Sequence, residues 1–106
     1  MSGAPVRLGR LAKLIRSKNA GPFWITFDIM FDSDTDFERA VRAGVITKPW
    51  IARIWDRNEA DIVLVALPQA RAIKFSFPRR PVQGDPGEMD QYAGQQYAPL
   101  LDLEIA

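Results

Sequence analysis

Residues 23–31, FWITFDIMF, alternate strictly between two kinds of position. Aromatic or aliphatic side chains take every odd position, and the even positions hold Trp24, Thr26, Asp28 and Met30. Because side chains along a β-strand point alternately to opposite faces, the pattern predicts a strand with one wholly apolar face. That face needs a helical layer over it, whereas Asp28 on the other face must be exposed, paired or functional.

The segment 6–17 has the periodicity of an amphipathic helix. Leu8, Leu11 and Leu14 recur at helical spacing, with basic residues between them. The sequence that follows, 19–22, contains an asparagine, a glycine and a proline, which are typical of a helix end. We therefore predict a first helix that stops near residue 18.

Two more helices are predicted after the strand. Ser33 is a suitable N-cap for a helix that ends before Gly44, and Thr47 can cap another helix that reaches residue 58. Trp50 and Trp55 lie on this third helix, where two tryptophans indicate a core or an interface and are natural anchors for a partner.

The second half of the chain predicts a hairpin, a long connection and a last strand. Residues 62–67 are continuously apolar and residues 72–77 alternate, which fits two hairpin strands, although no residue between them supplies the positive φ that tight hairpins prefer. Residues 78–99 hold four of the eight prolines and three of the seven glycines, so we expect a long functional loop. Residues 101–105 alternate again and predict a strand that returns to the sheet.

The order of these elements predicts one α+β domain that spans residues 1–106. A right-handed crossover through the two middle helices would make the first two strands parallel. The expected architecture is a two-layer sandwich, with a small mixed sheet and helices on one face.

Composition limits the chemistry that the chain can perform. It has no cysteine and no histidine, which excludes disulfides, thiol nucleophiles and histidine relays, so any acid or base must be Asp, Glu, Lys or Tyr. No phosphate-binding loop, dinucleotide fingerprint or nucleophile elbow is present, and we expect no cofactor and no metal site. Nothing resembles a signal peptide or a membrane span, so the expected compartment is the cytoplasm.

The basic side chains are unevenly distributed. Residues 1–20 hold five of the fourteen basic side chains and none of the thirteen acidic ones. Such a stripe can meet nucleic acid, an anionic membrane or an acidic partner, or it can be a solvated helix face. Because the apolar face of this helix is expected to pack on the sheet, we predict neither nucleic acid nor a membrane as the partner.

Three groups of residues are candidates for binding a ligand or a partner. The turn around 16–21 offers two cations, a hydroxyl and an amide, which could hold a carboxylate or a phosphate, and the alternative interpretation is a plain helix end. If the strand over 23–31 and the second hairpin strand, 72–77, are neighbours, Asp28 and Lys74 could pair. The polar loop could close over a ligand. The candidates are Arg16, Ser17, Lys18, Asn19, Gly21, Asp28, Arg71, Lys74, Gly84, Asp85, Gly87, Asp90, Tyr92, Gln95, Gln96 and Tyr97.

Three segments carry a resemblance to a known family. They are RLAKLIRSKNAGPFWITFDIMF, the stretch ARAIKFSFPRR, and GDPGEMDQYAGQQYAPLLDLEI. Together they resemble a bacterial family of small domains of unknown function, family 4387, over nearly the whole chain. The layout is also similar to the C-terminal ferredoxin-like domain of AtuA-type acyclic terpene utilisation proteins, in which an R-S-G-D-K-G-like turn precedes the first strand.

The second resemblance implies a ferredoxin-like fold and a function. It implies a small accessory or co-catalytic subunit that binds an AtuA-like large subunit, in the catabolism of a branched or CoA-linked organic acid. The alternative is a small homo-oligomeric lyase, hydratase or isomerase in which Arg16 and Lys18 grip the carboxylate of the substrate. Whether the chain is itself catalytic stays open at this point.

Overall fold

The chain forms short strands and helices, as seen in a computed structural model that describes residues 4–21, 23–78 and 97–106. In chain order they are β1 (Val6–Arg7), α1 (Leu8–Leu11), β2 (Leu14–Asn19), β3 (Trp24–Met30), α2 (Asp34–Ala43), α3 (Lys48–Trp55), β4 (Val63–Leu67), β5 (Ala72–Pro78), α4 (Ala98–Leu101) and β6 (Glu104–Ile105). Single 3₁₀ turns, Glu59–Asp61 and Pro68–Ala70, precede and follow β4. In the described ranges, no helix has the length and hydropathy of a membrane span.

The main sheet has four strands in the order β2-β3-β5-β4, and every neighbouring pair is antiparallel. Strand β3 lies between β2 and β5, so that Asp28 is opposite Arg16 on one side and Lys74 on the other. The short strands β1 and β6 form a separate antiparallel pair. The protein is therefore an α+β domain with antiparallel sheets.

The core lies on the apolar face of β3 that the alternation predicts. Phe27 stacks on Phe75 with ring centroids 4.6 Å apart, and Trp55 of α3 packs against Phe27 at 5.0 Å. Phe37 and Ile51 bring α2 and α3 into the same buried cluster. Burial of this aromatic cluster supplies the main driving force for folding, since each such side chain contributes about 1.5–3 kcal/mol when fully buried.

The two middle helices begin where their capping residues predict, and α2 also ends as predicted, whereas α3 ends at Trp55 and not at residue 58. The Oγ of Ser33 accepts a hydrogen bond from the backbone N–H of Asp36 at 3.1 Å, and the Oγ1 of Thr47 accepts one from that of Trp50 at 3.2 Å. Gly44 ends α2 with a φ of 65°, a left-handed conformation that glycine adopts without strain. Both caps were predicted from the sequence and are confirmed.

The predicted helix over 6–17 is wrong for most of its length. Only Leu8–Leu11 is helical, and Leu14–Asn19 is an edge strand paired with β3. The segment 14–19 also fits a period of two, because Ile15 faces the core while Arg16 and Lys18 point to the other side. Pairing with β3 satisfies backbone groups on both strands, and this tertiary gain outweighs the helical propensity of the segment.

The predicted mixed sheet is also wrong. Strands β3 and β4 do run in the same direction, as a crossover through α2 and α3 requires, but β5 lies between them and is antiparallel to both. The crossover rule determines direction and handedness, and it does not require the two strands to be neighbours. The hairpin partner of β4 takes the central place because β5 carries the buried residues Ile73, Phe75 and Phe77.

The predicted hairpin of β4 and β5 is present, and Arg71 supplies the positive φ that its turn requires. The 3₁₀ turn after β4 ends at Arg71, which has a φ of 51° and a ψ of 47°. Its side chain is held by Asp34, whose Oδ1 accepts from Nε at 2.8 Å, and by the backbone carbonyl of Asp32 at 2.9 Å. These contacts offset the cost of a left-handed conformation at a residue with a side chain.

The C-terminal segment differs from the expected strand over 101–105. Ala98–Leu101 is a short helix, and only Glu104–Ile105 is extended, in a pair with β1 rather than with the main sheet. Leu100 and Ile105 are buried in the core. The alternating pattern is too short to distinguish a strand from a helical turn followed by two extended residues. Residues 79–96 of the predicted loop 78–99 lie outside the described residues.

Candidate functional site

One face of the main sheet lacks a covering helical layer in the part of the chain that the structure describes. The register puts alternate residues of all four strands on this side, opposite the core. We call it the open face. It consists of Leu14, Arg16, Lys18, Trp24, Thr26, Asp28, Met30, Val63, Val65, Leu67, Ala72, Lys74, Ser76 and Pro78.

The centre of the open face is polar. The carboxylate of Asp28 accepts a hydrogen bond from Arg16 Nε at 3.1 Å, and its other oxygen lies 3.5 Å from Lys74 Nζ. Two register positions away, at the next pair on the same face, the hydroxyls of Thr26 and Ser76 are 3.0 Å apart. Asp28 is only 5% exposed, so its charge is compensated by two cations whose own side chains are about half exposed.

The net charge of this centre is positive. Arg16, Lys18 and Lys74 share the face with a single carboxylate, that of Asp28. Lys18 lies two residues beyond Arg16 on the edge strand, opposite Thr26, and is exposed. The group can therefore accept an anion, because the neutralisation of Asp28 does not use all of the positive charge.

The rim of the open face is apolar and exposed. At the β4 edge, Val63 is 54% exposed, which makes it the most exposed of the three apolar residues of β4 on this face. At the β2 edge, Leu14 is 42% exposed. Trp24 is 38% exposed at one end of the central strand. Several large apolar side chains that are exposed on one face of a protein indicate a surface that binds another molecule.

The structure changes the setting of the predicted basic turn. Residues 16–19 lie in a strand, so a helix end with its repulsive dipole is absent there. Arg16 and Lys18 point to the open face, whereas Ser17 and Asn19 point to the opposite side. Gly21 has a φ of 78° in the loop that joins β2 to β3. The turn is therefore not a single binding loop, and only its two cations join the open face.

The remaining candidates are dispersed. The pair of Asp28 with Lys74 forms as expected for neighbouring strands. Arg71 lies away from this pair, in the β4–β5 turn, and Tyr97 is half-buried against the core just before α4. The loop candidates Gly84, Asp85, Gly87, Asp90, Tyr92, Gln95 and Gln96 lie outside the described residues.

The expected tryptophan anchors do not belong to the open face. Trp55 is buried in the core against Phe27, and Trp50 packs edge-on against Trp55 with centroids 5.6 Å apart. Trp24 is the aromatic side chain that reasoning from the sequence missed. The strict alternation of 23–31 already placed it on the face opposite the phenylalanines, and that was the signal that could have found it.

A second concave feature lies at one end of the sheet. This cleft has a volume of about 630 Å³, and its lining includes Lys13, Asp34, Glu38 and Arg71. Its cations are already paired, because Lys13 Nζ lies 3.7 Å from Asp32 and Arg71 Nε lies 2.8 Å from Asp34. In the described ranges, no three acidic side chains gather in the way that a metal ion requires.

Comparison with curated proteins and with solved structures finds no match. One family model does match, over residues 8–104, and it covers β2, β3, β5 and the pairing of Arg16, Asp28 and Lys74. The chain therefore belongs to the family described as "Domain of unknown function (DUF4387)".

Proposed function

We propose that this protein is a small accessory or co-catalytic subunit that docks on a larger, AtuA-type protein through the open face. The complex would act in the catabolism of a branched or CoA-linked organic acid. The observation that carries the proposal is the open face itself, with its polar centre and exposed apolar rim on a sheet whose other face carries the buried core.

The rim has the composition of an interface. Trp24 offers a large aromatic surface, and tryptophan is enriched among the residues that dominate binding energies. The aliphatic residues of β4 extend this surface along one edge of the sheet. A partner that covers the face would remove the exposed apolar area from water, which is the main favourable term in association.

The polar centre adds specificity. Arg16 and Lys74 hold Asp28 in place, so this carboxylate is engaged and poorly suited to act as a general base. The surplus positive charge suits an acidic side chain of the partner or the anionic group of a bound acid. Since the chain has no histidine or cysteine, the large subunit would supply the nucleophile or the proton relay.

The order of the strands supports the resemblance to the C-terminal domain of AtuA-type proteins. Strand β3, the helices α2 and α3, and strand β4, with β5 inserted between the strands, form a split β-α-β unit. The addition of β2 beside β3 completes a four-stranded antiparallel sheet with helices on one side. We infer a ferredoxin-like, two-layer arrangement of the kind that the AtuA-type C-terminal domain has.

Co-expression with the AtuA-type large protein of the same genome tests the proposal. We expect the two chains to co-purify as a stable complex, and Trp24→Ala to disrupt it. Ile54→Ala is the matched control, because Ile54 is equally exposed, 39% against 38%, but lies on α3 on the other side of the sheet. A chain that stays separate from the large protein at all concentrations would sink the proposal.

A small enzyme acting on a carboxylate is the second candidate, and the three cations around Asp28 are the observation that favours it. Under this alternative, Lys18 binds the substrate carboxylate, and the isolated protein turns over an organic acid. Activity that is lost in Lys18→Ala and kept in Lys48→Ala, an exposed lysine on α3, would favour the enzyme over the accessory subunit.

A further inference from the structure

The two edges of the main sheet differ in how they are protected. Edge strand β2 carries Arg16 and Lys18, and such charges discourage another strand from pairing with it. Edge strand β4, with the sequence VLVAL, has no charge, no proline and no glycine. In the described ranges, its outer edge has no strand beside it. An unprotected apolar edge of this kind is a template for strand addition.

The helical layer also stops short of β4. An apolar groove of about 100 Å³ runs between α2 and this strand, with Val41 and Gly44 on the helix side and Leu64 and Ala66 on the strand side. Val41 is 45% exposed. Apolar surface is therefore available on both sides of the β4 edge.

We propose that a second copy of this chain pairs with the edge of β4, antiparallel, about a two-fold axis near Val65. In this register Val65 faces its own counterpart, Leu64 faces Ala66, and Val63 faces Leu67. The contact is apolar throughout, and no like charges are brought together. The same operation at β2 would place Arg16 and Lys18 opposite cations of the other copy, which selects β4 as the self-complementary edge.

The helices support the same symmetry. Because α2 lines the groove beside β4, the proposed two-fold axis would run between the α2 helices of the two copies and make them antiparallel. Glu38 and Arg42 flank Val41 on the surface of α2. The antiparallel arrangement places Glu38 of one copy towards Arg42 of the other, with Val41 between them. The pairing joins two open faces into one eight-stranded surface, and it is independent of which larger protein that surface binds.

The mass of the isolated chain in solution tests this inference without any other protein. We expect light scattering after size exclusion to give twice the 11.9 kDa mass of one chain. V65K and V65E should each give the mass of a single chain, because like charges then face each other across the axis. An equimolar mixture of the two variants should recover the double mass. L14K, the matched change on the opposite edge of the same face, should leave the pair intact.

A cysteine variant tests the register independently of any change in folding stability. Because the chain has no cysteine, V65C should form a disulfide between two copies under oxidised glutathione, since Cα atoms of facing residues in antiparallel strands are about 4.5–5.5 Å apart. L14C should not form this crosslink. A wild-type chain with the mass of one copy, or a double mass that survives V65K, would overturn the inference.

Discussion

The two faces of the main sheet come from the same four strands and have opposite roles. On the covered face, Phe27, Phe75 and Phe77 are completely buried beneath the helices. On the open face, Val63 and Trp24 remain accessible although they too are hydrophobic. Folding therefore needs only one of the two faces to be covered. The apolar side chains on the open face do not belong to the core, and we therefore assign them to binding.

The polar residues sharpen this contrast. Among the residues that the structure describes, the core of the covered face contains only hydrophobic side chains, whereas the two buried polar residues, Thr26 and Asp28, both lie on the open face. Each has a partner on a neighbouring strand. The open face is therefore organised by hydrogen bonds and charge, and the covered face by packing.

Phe75→Ala should have the largest effect, because it removes a ring from the centre of the covered face. Phe75 contacts Phe27 at 4.6 Å and Trp55 at 5.4 Å between centroids. We expect a loss of about 3–5 kcal/mol in the free energy of unfolding, measured by urea denaturation. Leu14→Ala on the open face should cost under about 0.5 kcal/mol. Equal losses would show that the open face is covered in solution.

Asp28→Ala should have an intermediate effect. The substitution removes a nearly buried carboxylate and leaves Arg16 and Lys74 unpaired, but both cations are about half exposed and can be solvated. We expect a loss of about 1–2 kcal/mol, less than for a fully buried pair. Asp102→Ala, which breaks an exposed pair with Arg7, is the control and should change stability by less than about 0.5 kcal/mol. A larger effect at Asp102 would contradict this ranking.

The sequence determined the assignment of faces more securely than the arrangement of strands. The period of two in 23–31 separates the core residues from Asp28, and this separation survives in the structure. Side chains that cap helices were equally informative, because Ser33 and Thr47 act through local hydrogen bonds. Such signals depend only on neighbours in the sequence, and they predict local structure well.

Features that depend on distant contacts could not be predicted. Residues 14–19 fit both a helix and a strand, and the pairing with β3 decides between them. The central position of β5 likewise depends on which strands pair, because the alternation of 72–77 indicates an apolar face but not the neighbours of the strand. The ion pair at the polar centre of the candidate site could not be predicted for the same reason, because Arg16 contacts Asp28 only when β2 is a strand.

The β4–β5 turn, which ends at Arg71, sets the register of this hairpin, and a slip of one residue in β4 would move its side chains to the opposite faces. Arg71→Ala keeps the left-handed position strained and loses the bond to Asp34, so we expect a loss of about 1 kcal/mol. Arg71→Gly loses the same bond but relieves the strain, and its stability should stay within about 0.5 kcal/mol of wild type. Thermal unfolding of both variants gives the comparison, and equal losses would show that the positive φ carries no cost.

Val63→Thr should have the smallest effect on folding and a clear effect on binding. Threonine keeps the branched shape that suits a strand, and Val63 is 54% exposed, so the added hydroxyl stays in water. We expect the free energy of unfolding to change by less than about 0.5 kcal/mol. Retention of the AtuA-type large protein on the tagged chain should nevertheless fall, because a partner would have to desolvate the hydroxyl. Unchanged retention would mean that the β4 edge of the open face lies outside the interface, and the contrast between the faces would then rest on Trp24 and the charged centre.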